Sequence, residues 1–356
     1  MTPNQYHDQF ETLLSTALSE GASDLHLAEG KVPMMRISGQ LVSIAKRAAL
    51  SKEEVGGFAK VMMSEDREKA FRQEHEADFA YEFKDGNRFR VNGYFQQGLI
   101  GFALRLISKE IRMAEDLNLP PILNTFTERP QGFFLVVGPV GQGKTTTLAA
   151  MIEYINRNRA AHILTIENPI EYTYTPKLSI IDQREVGLDT ESFAAAMTGM
   201  FRQDINVVLV GEMRDPETIS TAVTAAETGH LVLSTLHTNN AAQTINRIID
   251  SFPGNQQDQI RSQLASSLSG IFSQRLVPRV SGGLVPAYEL LINNSAVGNL
   301  IREKRVHEIN TVIETGSEQG MISMDRCLAD LVRKGEITVE NAYLHSANTK
   351  MLERLL

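Results

Sequence analysis

Residues 138 to 145 read GPVGQGKT, which satisfies the pattern G-x-x-x-x-G-K-[ST] with Gly138, Gly143, Lys144 and Thr145. The chemistry of that spacing is phosphate binding. Gly138, Gly141 and Gly143 carry no Cβ, so the backbone through Pro139, Val140 and Gln142 can close its N–H groups around phosphate oxygens. Lys144 would reach the β- and γ-phosphates, Thr145 would ligate Mg²⁺, and Thr146 continues a helix whose N-terminus favours an anion. An apolar run, GFFLVV (132–137), precedes the loop and a helix-forming run follows it. That context disfavours the competing reading, a glycine-rich turn that happens to precede a lysine. The cofactors expected are therefore ATP and Mg²⁺.

Such a loop needs acids that hold metal and activate water. The apolar segment INVVLVGEMRD ends in Glu212, placed where a strand-end acid usually holds the Mg²⁺–water shell, although Gly211 and Glu212 stand where Asp is usual. TIENPIEY (165–172) offers Glu167 and Glu171 on either side of Pro169. Proline lacks an N–H and disfavours a helical Asn168, so both acids leave the strand on an irregular loop. Either could orient water as a general base, and the residues alone do not choose between them. GHLVLSTLHT contains His230 and His237, seven apart, which on one continuous strand point to opposite faces and cannot share a metal. His230 at the strand start could sense the γ-phosphate; a satisfied structural histidine is the alternative. Arg88, Arg90 and Arg105 lie on strand-like segments. A planar arginine fork suits phosphate, and solvated strand-edge arginines are the alternative.

The elements that must position these residues fall into two blocks. In the first, Phe10, Leu13, Leu14, Ala17 and Leu18 share one helical face. SDLHLAEG and KVPMMRISGQLV read as short strands broken at Gly30 and Gly39. Ser51 and Glu54 form a capping box opening a helix, which Gly56 and Gly57 weaken. Phe79, Tyr81 and Phe83 alternate into an Asp85-Gly86 turn, RFRVNGYF returns, and GLIGFALRLI follows as a third strand. This predicts a small α+β domain over 1–112. A linker is expected over 113–130, where three prolines cluster near polar ends. Over 131–356 the rhythm becomes strand–helix–strand, which implies a parallel sheet covered by helices, with further strands at INVVLVG and HLVLSTL. From 255 onward the chain reads mainly helical, QQDQIRSQLASSLSGIFSQRL being the longest such segment.

Composition narrows the classes. At 42% apolar and 22% charged, 356 residues suffice for two cores. A net charge of −8 with no basic stripe or aromatic stacking series argues against nucleic-acid binding. The single cysteine, Cys327, excludes an intrachain disulfide framework and a multi-cysteine zinc site. The N-terminus has no apolar signal region, and no run is long enough to span a bilayer, so a cytoplasmic protein with no direct membrane insertion is expected.

Taken in order, GPVGQGKTTTLAAMI, TIENPIEY, QREVGLDTESF, VVLVGEMRDPETI and AAETGHLVLSTLHTNNA resemble the Walker A, Asp box, Walker B and His box of secretion-type ATPases. SAVGNLIRE (295–303) and the opening GASDLHL resemble the PilT-type retraction ATPases of type IV pili. The resemblance implies a PAS-like N-terminal domain joined to a RecA-like P-loop ATPase domain, with ATP between the two, in a homohexamer. It implies Glu171 as general base, Glu212 as the Walker B acid, His230 and His237 as the His box, and Arg90 and Arg105 approaching the γ-phosphate. The expected function is ATP-powered pilus retraction (twitching motility) from the cytoplasmic face of the inner membrane. The partners would be the membrane platform protein of the pilus and a paralogous retraction ATPase. Assembly and type II secretion ATPases usually carry a four-cysteine zinc insertion that one cysteine cannot supply. Departures from the family pattern are Asn168 for aspartate, no R-x-D-P-D before Walker B, no arginine after FQQ, and Gly298 for arginine. The last two, with the tail GEITVENAYLHSANTKMLERLL, leave an accessory nucleotide-binding adaptor dependent on a main motor as one alternative, and a disfavoured assembly or type II secretion ATPase as the other.

Overall fold

The computed structural model describes residues 3–37, 39–45, 47–107 and 110–356; Ser38, inside the expected strand segment KVPMMRISGQLV, lies outside them. The chain divides into two compact units. One is Met1–Glu110 with Pro169–Thr173, and the other is Ile111–Asn168 with Tyr174–Leu356.

The first unit runs α1 (Pro3–Ser19), β1 (Asp24–Ala28), β2 (Met34–Ile37), β3 (Gln40–Ser43), α2 (Lys52–Met62), α3 (Glu65–Glu74), β4 (Glu76–Phe83), β5 (Asn87–Gln96) and β6 (Leu99–Ile107). Its antiparallel sheet has the order β3-β2-β1-β6-β5-β4. Phe10, Leu13, Leu14 and Ala17 are buried as the α1 periodicity requires. The capping box forms, with Ser51 Oγ accepting from Glu54 N–H and the Glu54 carboxylate accepting from Ser51 N–H. Gly57, a weak helix former, is explained by packing: a Cβ there would lie 2.4 Å from the Tyr6 ring of α1. The β4–β5 turn takes positive φ at Asp85 (55°) and Gly86 (67°), the hairpin chemistry that Asp-Gly supplies. The sequence reading missed α3, in which only Phe71 is buried and the apolar periodicity is therefore faint.

The second unit runs α4 (Leu123–Thr127), β7 (Gly132–Val137), α5 (Lys144–Asn158), β8 (His162–Glu167), β9 (Ile180–Glu185), α6 (Phe193–Met200), β10 (Val207–Val210), α7 (Pro216–Glu227), β11 (Leu231–Leu236), α8 (Ala241–Asp250), α9 (Gly254–Ser267), β12 (Leu268–Pro278), β13 (Leu284–Ile292), α10 (Ser295–Arg302), α11 (Ile309–Thr315), α12 (Met324–Arg333), α13 (Val339–His345) and α14 (Thr349–Leu355). Its sheet, β13-β12-β7-β11-β10-β8-β9, is parallel except for the β12–β13 pair. Alternate residues of β7 enter two separate cores, Phe133, Leu135 and Val137 in one, Phe134 and Val136 in the other. Both faces are thus covered, and for that reason these strands read as continuous apolar runs.

Two sequence expectations change here. The segment expected as a linker over 113–130 packs into this unit: Ala114, Leu119, Leu123 and Phe126 are buried in its core, and α4 lies within it. The helical reading past residue 255 holds to Ser267 and again from Ser295, through α10 to α14, but fails between them. Residues 268–278 and 284–292 form a β-hairpin, because Gly282 and Gly283 (φ 90° and 77°) turn the chain and β12 pairs with β7. Among the described residues no helix is long and apolar enough to cross a membrane.

Candidate functional site

The sequence-selected residues gather in two places, one in each unit. In the second unit the loop after β7 winds tightly. Gly138, Gly141 and Gly143 have φ of 148°, 78° and 77°, backbone that L-side chains rarely adopt, and Gly143 caps α5. A Cβ on Gly138 would lie 2.3 Å from Gln274 O, so this position tolerates only glycine. Val140 at the loop tip is exposed.

Lys144 opens α5 and is buried. Its Nζ donates to Gly138 O and Pro139 O, both at 2.9 Å, and meets His237 Nδ1 at 3.1 Å. His237 Nε2 in turn lies 3.3 Å from Glu212 Oε1. A lysine ammonium only donates, so Nδ1 accepts and the ring proton sits on Nε2, facing the carboxylate. Glu212 Oε2 accepts from Arg214 Nη2 at 2.8 Å. Burial pushes the Glu212 carboxyl upward, but Arg214, His237 and Lys144 outweigh it and hold the group below its usual range. A continuous polar chain therefore links the loop lysine to the acid after β10. Thr145 stands at the first turn of α5 with its hydroxyl, and a hydroxyl with a carboxylate is a hard-oxygen donor set that suits Mg²⁺.

Glu167 closes β8, buried, with its carboxylate accepting from Thr165 Oγ1 at 2.7 Å. The β8–β10 register sets it beside Gly211, where a Cβ would lie 3.2 Å from Ile166 O. Gly211 thus allows the close approach of the two strand ends, which accounts for the glycine before Glu212.

The two histidines do not share a strand; they flank β11 at its opposite ends. Seven extended steps separate them by about 23 Å. His230 is at the amino edge, where its carbonyl accepts from Gly132 N–H, its Nδ1 meets Ala225 O at 3.0 Å and its ring stands edge-on to Phe201. The phosphate loop lies at the carboxyl edge of β7, so within one chain His230 and the loop are at opposite edges of the sheet, and His237 occupies the loop side.

The first unit carries the arginine group. Arg90 on β5 and Arg105 on β6 are directly cross-strand and share a face. Arg90 Nη2 donates to Asp78 at 2.7 Å and Nη1 to Glu171 at 3.2 Å, so Glu171 of the 169–173 segment belongs to this group. The Asp78 bond leads in raising the Arg90 pKa, against burial and with help from Glu171. Arg105 is mostly exposed and bonds Asp24 Oδ1 through Nε at 2.9 Å. Burial raises the Asp24 carboxyl, yet the Ser23 and Arg105 bonds bring it below its usual value.

Sequence reasoning missed Gln274. Buried on β12, it donates from Nε2 to Gln142 O at 2.8 Å and accepts from Thr147 Oγ1 at 2.6 Å. Leu276 N–H donates to Gln142 Oε1 at 2.7 Å. No local signal marks a glutamine that meets its partners more than a hundred residues away.

Residues 7–283 match the family described as type II/IV secretion system protein. The chain is 43% identical to the type IV pilus retractation ATPase PilT of Pseudomonas aeruginosa, over 93% of this chain and 96% of that protein. It is 40% identical to the type IV pilus ATPase PilU of the same organism, over 98% and 91% respectively. The crystal structure of the pilus retraction motor PilT with bound ADP superimposes with a TM-score of 0.89 at 44% identity, covering 97% of this chain and 98% of that one.

Proposed function

The chain belongs to the type II/IV secretion system protein family, and from that premise we propose that it hydrolyses ATP to drive retraction of a type IV pilus. The observation that carries hydrolysis is the Lys144–His237–Glu212 chain beside a glycine-wound phosphate loop. The pilus assignment rests on likeness to PilT along nearly the whole of both proteins. The working form is a homohexamer on the cytoplasmic face of the inner membrane, acting on the platform protein at the pilus base.

In this reading Lys144 exchanges its two loop carbonyls for phosphate oxygens, and the loop N–H groups hold the β-phosphate. Thr145 and Glu212 are the residues that would hold Mg²⁺, which when bound neutralises charge on the phosphates. Glu171 takes the proton of the attacking water. Arg90 and Arg105 oppose the charge that develops on the γ-phosphate. His237, its tautomer fixed by Lys144, keeps Glu212 oriented. The test is a deletion strain complemented by wild type or Glu171→Gln. Retraction predicts excess pili that only the wild type restores to normal, whereas a bald deletion strain points to an assembly motor and refutes the proposal.

One observation favours a second reading, an accessory motor that depends on a paralogue. Gly298 lies in α10 where a Cβ would be 3.3 Å from Ala265 O, and the Arg302 guanidinium covers the space beside it. The family's arginine is thus absent from a tightly packed turn. Loss of pilus retraction on deleting the paralogue alone would support this reading.

A further inference from the structure

Gln274 touches both ends of the phosphate loop, although it comes from a strand that enters the fold more than a hundred residues later. Its own carbonyl packs on Gly138, where the loop begins. Its side chain reaches Gln142 O, where the loop ends, and Thr147 in the first turn of α5. Gln274 is 3% exposed and both of its amide atoms are bonded. Its orientation follows from chemistry: Gln142 O can only accept, so the amide NH₂ must face it, and the oxygen is left for the Thr147 hydroxyl.

The consequence for the loop is elementary. In a trans peptide the C=O and the following N–H point in opposite directions. Fixing Gln142 O on Gln274 therefore aims the Gly143 N–H away from β12, as an anion-binding nest requires. Gly143 sits at φ 77°, and with glycine on one side the Gln142–Gly143 peptide has little steric resistance to flipping. A flipped peptide would present a carbonyl to phosphate. The Gln142 side chain closes the clasp from the other direction by accepting from Leu276 N–H.

We propose that Gln274 is the positioning residue of the phosphate loop, locking the Gln142–Gly143 peptide in its donor-inward orientation. It acts through the loop and does not touch the reacting atoms. The inference rests on the reading of residues 138–146 as a phosphate loop. β12 continues at Val277 into the core shared with Cys327, Leu328 and Leu352 of the C-terminal helices, so the same clasp fastens the loop to that layer.

The test compares wild type, Gln274→Glu and Thr147→Val for binding of ADP and of adenosine by calorimetry, with thermal melting as the fold control. Gln274→Glu keeps the acceptor for Thr147 but turns a carboxylate oxygen on Gln142 O. ADP should bind at least about tenfold more weakly while adenosine affinity stays within about twofold, because only phosphate reads the peptide orientation. Thr147→Val removes one of the two side-chain bonds that hold Gln274 and should weaken ADP by roughly threefold with the same selectivity, which keeps the test open if the first variant does not fold. ADP affinity unchanged in the folded variants, or ADP and adenosine weakened alike, overturns the proposal. A wild type that binds ADP no better than adenosine refutes the phosphate-loop reading itself.

Discussion

Replacing His237 with alanine removes both bonds of the imidazole at once, Nδ1 to Lys144 Nζ at 3.1 Å and Nε2–H to Glu212 Oε1 at 3.3 Å. Hydrogen bonds to charged groups are worth roughly 1.5–3 kcal/mol each when buried. Here the histidine side chain is 42% exposed and that of Glu212 24%, so water compensates much of the loss. About 1.4–2.7 kcal/mol for the pair is the appropriate range, equivalent to a ~10- to ~100-fold fall in turnover. Because the ring is half-exposed and fills no core, the melting temperature should move by no more than about 2 °C. The assay is steady-state ATP turnover, with kcat and kcat/KM separated, alongside a thermal melt. His237→Gln offers one acceptor and one donor in place of the two ring nitrogens and should recover most of the loss, whereas His237→Phe should not. If His237→Ala turns over within twofold of wild type on both parameters, the polar chain does not orient Glu212 and the argument fails.

Glu171→Gln should bind ATP as wild type does and show no turnover; unchanged turnover in a phosphate-release assay would remove Glu171 as the base. Gly138→Ala places a methyl 2.3 Å from Gln274 O at a φ of 148°, so ADP affinity should fall by more than about tenfold and the melting temperature by several degrees; normal binding would contradict the loop geometry. Glu289 is held above its usual value of 4.5 chiefly by burial, despite donors from Ala241 N–H and Ser273 Oγ. Its folded pKa exceeds the unfolded one, so its stabilising contribution is complete below the unfolded value and is lost as pH rises through the folded value. Gln at this position does not titrate, so the melting temperature of Glu289→Gln minus that of wild type should increase from pH 4.5 upward; a difference independent of pH would refute the assignment.

What could be read from the chain and what could not separate along one physical line: local signals survive and distant partnerships do not. The loop glycines, the Ser51–Glu54 capping box and the Asp85-Gly86 turn are set by residues within five positions of one another, and each takes the expected local geometry. The parallel strands announced themselves as apolar runs because both of their faces are covered. β12 went unread because its Ser, Gln and Leu content suits a helix, and its strand character comes from pairing with β7. The Gly282-Gly283 turn was the available clue. In the site, residue types identified Lys144, Glu212 and His237 singly, but their linkage depends on the order of strands in the sheet. The histidines follow the same line: their spacing predicts opposite faces on one continuous strand, whereas β11 runs only from Leu231 to Leu236 and leaves one histidine at each edge of the sheet.

The most direct measurement is Mg-ATP turnover per subunit of the purified protein across a wide range of protein concentration. A motor whose sites are completed by ring assembly gives turnover per subunit that rises with concentration to a plateau, and Glu171→Gln stays flat near zero throughout. ATP bound but never hydrolysed at any concentration would contradict the account and leave a nucleotide-binding adaptor in its place.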